Sequence, residues 1–215
     1  MRLRSLVSAS LVAFACTLAG SASADIPGAQ SFVEKEHGQL RKLVDNNAPQ
    51  DQVRQAIDGM VDYDELAKRT LGKPCPVGVP ACVNHWEKDL NESQRTEVTG
   101  LLRQLVEKNY RKNLNKTKDY DVTYRGARDA GEAITKVRTE AKNKSKPRDP
   151  AYLVDYMIVE KDGGRYRVVD IVTEGSSMTK NYYDQFHRML TTEGQGYPYM
   201  VQKLKDKIAA QPKPG

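Results

Sequence analysis

The chain is poor in the residues that most often carry out chemistry. It has three histidines (His37, His85 and His187), three cysteines and one tryptophan. It contains no Gly-x-Ser-x-Gly elbow, no His-Glu-x-x-His pair and no phosphate-binding glycine loop, so the commonest hydrolase, metalloprotease and nucleotide-binding signatures are excluded. No histidine clusters with acids at ligand spacing, and each reads as a partly buried or surface residue. Ser177, His187 and Asp170 supply the residue types of a triad. Ser177 and His187, however, fall ten residues apart on one predicted helix, roughly 15 Å at ~1.5 Å per residue, beyond hydrogen-bond reach. Asp155 and Asp170 stand on neighbouring predicted strands and read as outward or hydrogen-bonded strand residues rather than a catalytic pair. The sequence argues against an enzyme.

Long hydrophobic runs are also missing, apart from Leu6 to Leu18. That run is too short for a membrane span of about 20 residues. It follows the basic start Met1-Arg2-Leu3-Arg4 and precedes Ala22-Ser23-Ala24, a small-residue cleavage site, so residues 1–24 are expected to be an export signal. Lipidation at Cys16 is the competing reading; Ala13-Phe14-Ala15 before it is a poor match for that purpose. Loss of Arg2 and Arg4 with the signal takes the 34 basic residues to 32 against 28 acidic, and the net charge from +6 to +4. That weakens any nucleic-acid reading, which export already disfavours. Residues 25–215, with 29% charged residues over the whole chain and a mean hydropathy of −0.68, are expected to form a single soluble domain.

Helical spacing of apolar residues predicts helices from Pro27 to about Asn47, after Pro49 (Val53, Ile57, Met60) and from Asp62 to Leu71. Asp62 suits an N-cap and Gly72 the position just past the C-terminus. A long helix is predicted from Asn91 to about Asn113, with Asn91 and Gln94 placed as a capping box and an apolar stripe through Val98, Leu102, Leu105 and Tyr110. After Lys116 the period changes to two: Tyr120, Val122 and Tyr124, then Ala133 to Glu140, alternate in polarity. A last helix is predicted from Tyr197 to Ala210. Helices, a strand meander and helices again indicate α+β: one antiparallel sheet of about four strands with several helices on one face, enclosing an apolar cavity.

The centre of the chain is Tyr152 to Thr192. Two alternating segments, Tyr152–Val159 and Tyr166–Thr173, flank Asp162-Gly163-Gly164, a hairpin signal. Gly175 and the following serines suit a strand-to-helix joint, and Tyr182, Phe186 and Met189/Leu190 then recur at helical spacing. Asp155-Tyr156, Gly164-Tyr166-Val168-Asp170, Glu174-Gly175-Ser177, Asn181-Tyr182 and Phe186 together resemble the periplasmic lipid carriers of the Mla system, also called toluene-tolerance proteins. Asp62 to Gly72, then Trp86, then Ser93-Gln94-Arg95 agree with that resemblance. It makes Asp155, Asp170, Gly175, Ser177 and Asn181 the family-motif residues. The position after Asn-Tyr is usually arginine in that family and is Tyr183 here, so any headgroup or partner role there does not carry over.

Lys73 to Cys82 holds three prolines in ten residues and looks like an insertion relative to that family. In an exported chain Cys75 and Cys82 are expected to form a disulfide. A metal site with His85 lacks a fourth ligand, and a catalytic thiol does not suit an oxidising compartment. Three non-catalytic readings remain: a phospholipid carrier, which the resemblance implies, a module for another small apolar solute such as an organic solvent or hopanoid-like molecule, and a membrane-assembly factor. For a carrier the expected lining is Leu102, Leu105, Tyr156, Ile158, Val169, Ile171, Tyr182 and Phe186, with phospholipid as cargo and no cofactor or metal. The resemblance further implies an inner-membrane ABC transporter with a substrate-capturing subunit, and an outer-membrane lipoprotein–porin complex, as partners. The run Lys142 to Arg148 reads either as a solvated loop or as a transient contact with acidic membrane or partner surfaces.

Overall fold

A computed structural model describes residues 26–114, 118–161 and 164–210. The expected export signal, Cys16 and two turn residues, Asp162 and Gly163, lie outside the described residues. The helices are α1 (Ile26–Asp45), α2 (Gln50–Met60), α3 (Tyr63–Thr70), α4 (His85–Lys88), α5 (Glu92–Leu114), α6 (Met178–Thr191) and α7 (Gly196–Ala209). The strands are β1 (Tyr120–Asp129), β2 (Ile134–Asn143), β3 (Tyr152–Lys161), β4 (Arg165–Thr173) and β5 (Ser176–Ser177). All strands run antiparallel in the order β1-β2-β3-β4-β5, so the fold is the α+β meander that the periodicity predicts, with a fifth short strand.

Local chemistry explains where the elements start. The Asp62 side chain accepts from the Glu65 N–H at 2.9 Å and opens α3. Asn91 and Gln94 each accept from the other's backbone N–H, at 3.0 and 2.9 Å, a complete capping box before α5. Gly72, with φ +82°, turns the chain at the end of α3; a Cβ there would sit 2.2 Å from the Val83 carbonyl oxygen, so no other residue fits. Cys75 and Cys82 are joined as a disulfide, as expected. The short α4, capped by Asn84, was not predicted; four residues are too few to show a period.

The sheet has two unlike faces. On one, α1 crosses β1 to β4, and the cross-strand rows Val122–Ala141–Tyr152, Tyr124–Thr139–Val154 and Ala127–Val137–Tyr156–Ile171 look toward the helices. The main core fills the space between, with Leu40, Ile57, Leu66, Leu102, Leu105, Ile158, Phe186 and Met200 all 2% exposed or less. The linker residue Val61 pairs with Val168, and the Asp62 N–H donates to the Val168 carbonyl, so the helical layer is bonded to β4 directly. On the other face Ile134, Met157 and Val169 form a second buried cluster, against which Val77 of the disulfide loop packs. Asp155 lies on that face, buried, and accepts a two-pronged pair from Arg138 (2.8 and 2.9 Å) and a third bond from Lys136 (2.7 Å).

Burial alone would raise the Asp155 pKa, but the hydrogen bonds from Arg138 and Lys136 more than offset it, and the net shift is downward. The same balance, with Lys161 and the Glu65 N–H as donors, lowers Asp62. Acids lowered in the folded state bind protons more readily once unfolded. Their stabilisation is complete above the unfolded value near 4 and is lost as pH falls through the folded values. Denaturant unfolding at pH 6 and pH 3 should therefore show a loss of stability at low pH that is smaller in Asp155→Asn. An identical loss in the variant would remove Asp155 as a source.

Candidate functional site

Where α1 leaves the sheet, the core opens into a cleft of about 720 Å³. That volume lies within the roughly 300–1,000 Å³ of small-molecule sites. One wall is α1, through Glu34, His37, Gly38, Leu40 and Arg41, which recur three and four apart and so share a face. The other wall is the inward row of β1, β2 and β3, from Tyr120, Val122 and Tyr124 to Tyr152, Val154 and Tyr156, and Tyr110 of α5 closes one side. Gly38 leaves open space where a side chain would project, which keeps the helix wall thin at mid-cleft.

Charge is confined to the rim. Arg41 donates to the Tyr120 carbonyl at 3.4 Å and pairs with Asp45 at 3.6 Å; Asp121 faces Lys144 at 3.6 Å. Val122 and Tyr152 are exposed at the mouth, where the Tyr152 ring packs edge-on to Tyr120 at 5.9 Å between centroids. Inside, His37 Nδ1 lies 3.0 Å from the Tyr124 hydroxyl and its ring meets Tyr156 edge-on at 4.8 Å. Burial lowers His37 to about 4, so the imidazole is neutral at physiological pH. Burial likewise raises Tyr124 to about 12, and raises Tyr110 and Tyr156 as well. The interior is therefore an uncharged, aromatic surface with a few polar atoms.

Of the eight residues expected to line a cavity, Tyr156 lines this cleft. The structure does not bring the others to it. Leu102, Leu105, Ile158, Tyr182 and Phe186 are buried in the main core, and Ile171 packs half-buried against it. Val169 is buried in the cluster on the opposite face of the sheet. The lining that sequence reading missed comes mainly from α1 and β1; the alternation of Tyr120, Val122 and Tyr124 was the available signal.

The motif residues serve the joint between β4 and α6. Asp170, fully buried, accepts from Ser177 Oγ (2.5 Å), the Thr179 N–H (2.9 Å) and the Ile171 N–H (2.8 Å). Ser177 in turn caps α6 by accepting from the Lys180 N–H, Gly175 takes φ +77°, and Asn181 donates to Ser176 Oγ at 2.8 Å. So Ser177 and Asp170 do meet, while His187 stands farther along α6. His187 joins His85 instead, Nδ1 to Nε2 at 2.7 Å, and His85 Nδ1 faces Asp89 at 2.5 Å. Asp89 is four residues from His85, whereas 102 residues separate the two rings in sequence and only the packing of α4 on α6 brings them together. Tyr183, in the position that departs from the family pattern, stacks on His187 and accepts from the Val83 N–H at 2.8 Å, tying the disulfide loop to α6. Among the described residues no group of three or more His, Cys, Asp or Glu could hold a metal ion, and no helix is long and apolar enough to cross a membrane.

A family model described as MlaC protein matches residues 34–206. A solved phospholipid-binding protein from Ralstonia solanacearum, in complex with a phospholipid, is similar in fold, with a TM-score of 0.65 and 20% identity over 86% of this chain and 99% of that chain. A search of curated proteins found no match.

Asp170 generates a prediction about the joint. Asp170→Ala would leave three donors without an acceptor, each costing about 1–3 kcal/mol, so it should destabilise by several kcal/mol in urea unfolding. Asp170→Asn, whose amide can accept from both N–H groups and donate to Ser177, should cost markedly less. Equal losses for the two variants would contradict this account.

Proposed function

Because the chain belongs to the MlaC family of proteins, we propose that it is a periplasmic carrier that holds phospholipid acyl chains in the cleft between α1 and the sheet. The observation that supports this most directly is the confinement of charge to the rim of an aromatic and aliphatic cleft, in a fold shared with a protein solved with phospholipid bound. The energetics fit the task. A diacyl lipid has roughly 30 methylene equivalents, each costing about 0.8 kcal/mol in water, so unaided passage between membranes is strongly uphill. A dry cleft removes most of that cost with no nucleophile or cofactor. In this reading residues 1–24 direct export and are removed, so the working protein begins at Asp25. It exchanges lipid with an outer-membrane lipoprotein–porin complex and with the substrate-capturing subunit of an inner-membrane ABC transporter. The exposed Tyr152 and Val122 beside the basic run Lys142–Arg148 suit brief contact with an acidic surface at the mouth.

Two substitutions test it. Gly38→Phe gains helix propensity and fills the cleft without touching the core, and Val154→Asp places an unpaired carboxylate on the sheet wall. Mass spectrometry of lipid extracted from purified protein should find phospholipid in wild type and little or none in either variant, with Gly38→Phe at least as heat-stable as wild type. Wild type without phospholipid would overturn the proposal, as would folded variants with full lipid content. A different apolar molecule in the wild-type extract would replace phospholipid with that solute class.

A further inference from the structure

The cleft is less uniformly apolar than acyl chains alone require. Tyr110, Tyr124 and Tyr156 converge with His37 on its interior, from α5, β1, β3 and α1. The Tyr124 hydroxyl is 3.0 Å from His37 Nδ1. Burial is the larger cause of the raised pKa of Tyr110 and Tyr156, and Tyr124 adds to both. The Tyr110 and Tyr156 hydroxyls bond to no protein group among the described residues, and neither is a buried unpartnered atom: both open onto the cleft, where water reaches them while it is empty. Once hydrocarbon fills the cleft, each is costly unless an acceptor arrives with the ligand. Phenylalanine would line a purely hydrocarbon pocket better.

Resting on the carrier reading, we propose that Tyr110 and Tyr156 recognise the acyl ester carbonyl of the lipid and so select ester-linked over ether-linked phospholipid. Two observations narrow the acceptor to an uncharged oxygen. The rim cation Arg41 is engaged by the Tyr120 carbonyl and Asp45. His37 is neutral above its lowered pKa of about 4. A carboxylate or phosphate drawn in to the phenols would thus lie buried with no cation to meet it. In a phospholipid the uncharged acceptors flanked by hydrocarbon are the ester carbonyls; an ether oxygen is a far weaker acceptor. The position suits this. Tyr156 stands four residues along β3 from exposed Tyr152, roughly 13 Å inward at ~3.3 Å per residue, and its side chain spans part of that distance. The glycerol ester region would then sit inside the cleft, leaving the phosphate near the rim.

The test is competition on delipidated protein, incubated with vesicles holding equal amounts of diacyl and dialkyl phosphatidylcholine of matched chain length. Bound lipid is then extracted and weighed by mass. Wild type should favour the ester lipid by roughly fivefold for each phenol that donates, the factor of a neutral hydrogen bond. Tyr110→Phe/Tyr156→Phe should bring the ratio near one by taking up less of the ester lipid. Because neither hydroxyl bonds to the protein, the double variant should unfold at the wild-type temperature, and Tyr156→Phe alone should show an intermediate ratio. A wild-type ratio of one overturns the proposal, as does a preference that survives in the double variant. Uptake of neither phospholipid overturns the carrier reading itself, and this proposal with it.

Discussion

The arrangement depends on one buried carboxylate. Among the described residues no cation pairs with Asp170; it is held by a hydroxyl and two backbone N–H groups at the point where β4 hands over to α6. Burial raises its pKa, and the bonds from Ser177, Thr179 and Ile171 act against that rise. Those donors have fixed directions, so satisfying them sets the angle at which α6 leaves the sheet. From that angle follow the placement of Tyr182 and Phe186 in the core, and of Tyr183 and His187 against the disulfide loop. With α6 filling one end of the helical layer, the other end is left to α1, and that is where the cleft lies.

Much of the fold was legible because the decisive signals were local. The caps at Asp62, Asn91 and Ser177 need a side chain and an N–H three residues away, and the strands declare themselves by alternation. The two elements that were not anticipated, α4 and β5, are four and two residues long, shorter than any period. The site was less legible. Spacing says that Leu102, Leu105 and Phe186 turn inward, but not whether the space they face is filled by another helix or empty. That depends on where α1 crosses the sheet, a property of the whole layer. Tyr156 could be named because its row and its motif agree. His85 and His187 could not be paired, since nothing local to either residue refers to the other.

The division of labour between core and cleft has an electrostatic side. Ionised groups near the sheet interior are on the outer face, where Asp155 is neutralised by Arg138 and Lys136. On the helix-facing side the ionisable groups of the cleft interior are tyrosines and a histidine, which stay neutral at physiological pH. An amphiphile entering the cleft meets dipoles rather than charges, so its own charged end is repelled from the interior by desolvation alone. Orientation follows without a dedicated headgroup pocket.

The pairing of β1 with β2 shifts register at a bulge between Tyr124 and Gly126, within the cleft wall. β1 is the end strand of the sheet, and an unpaired backbone edge is a template on which another chain can add a strand and begin to aggregate. The bulge breaks the repeat of that edge, and Asp121, Arg125, Arg128 and Asp129 set charges along it. An open cleft exposes apolar surface whenever it is empty, so such a molecule cannot also tolerate a sticky edge. Placing the irregularity on the strand that forms the cleft's outer wall guards against self-association where the empty protein is most vulnerable to it.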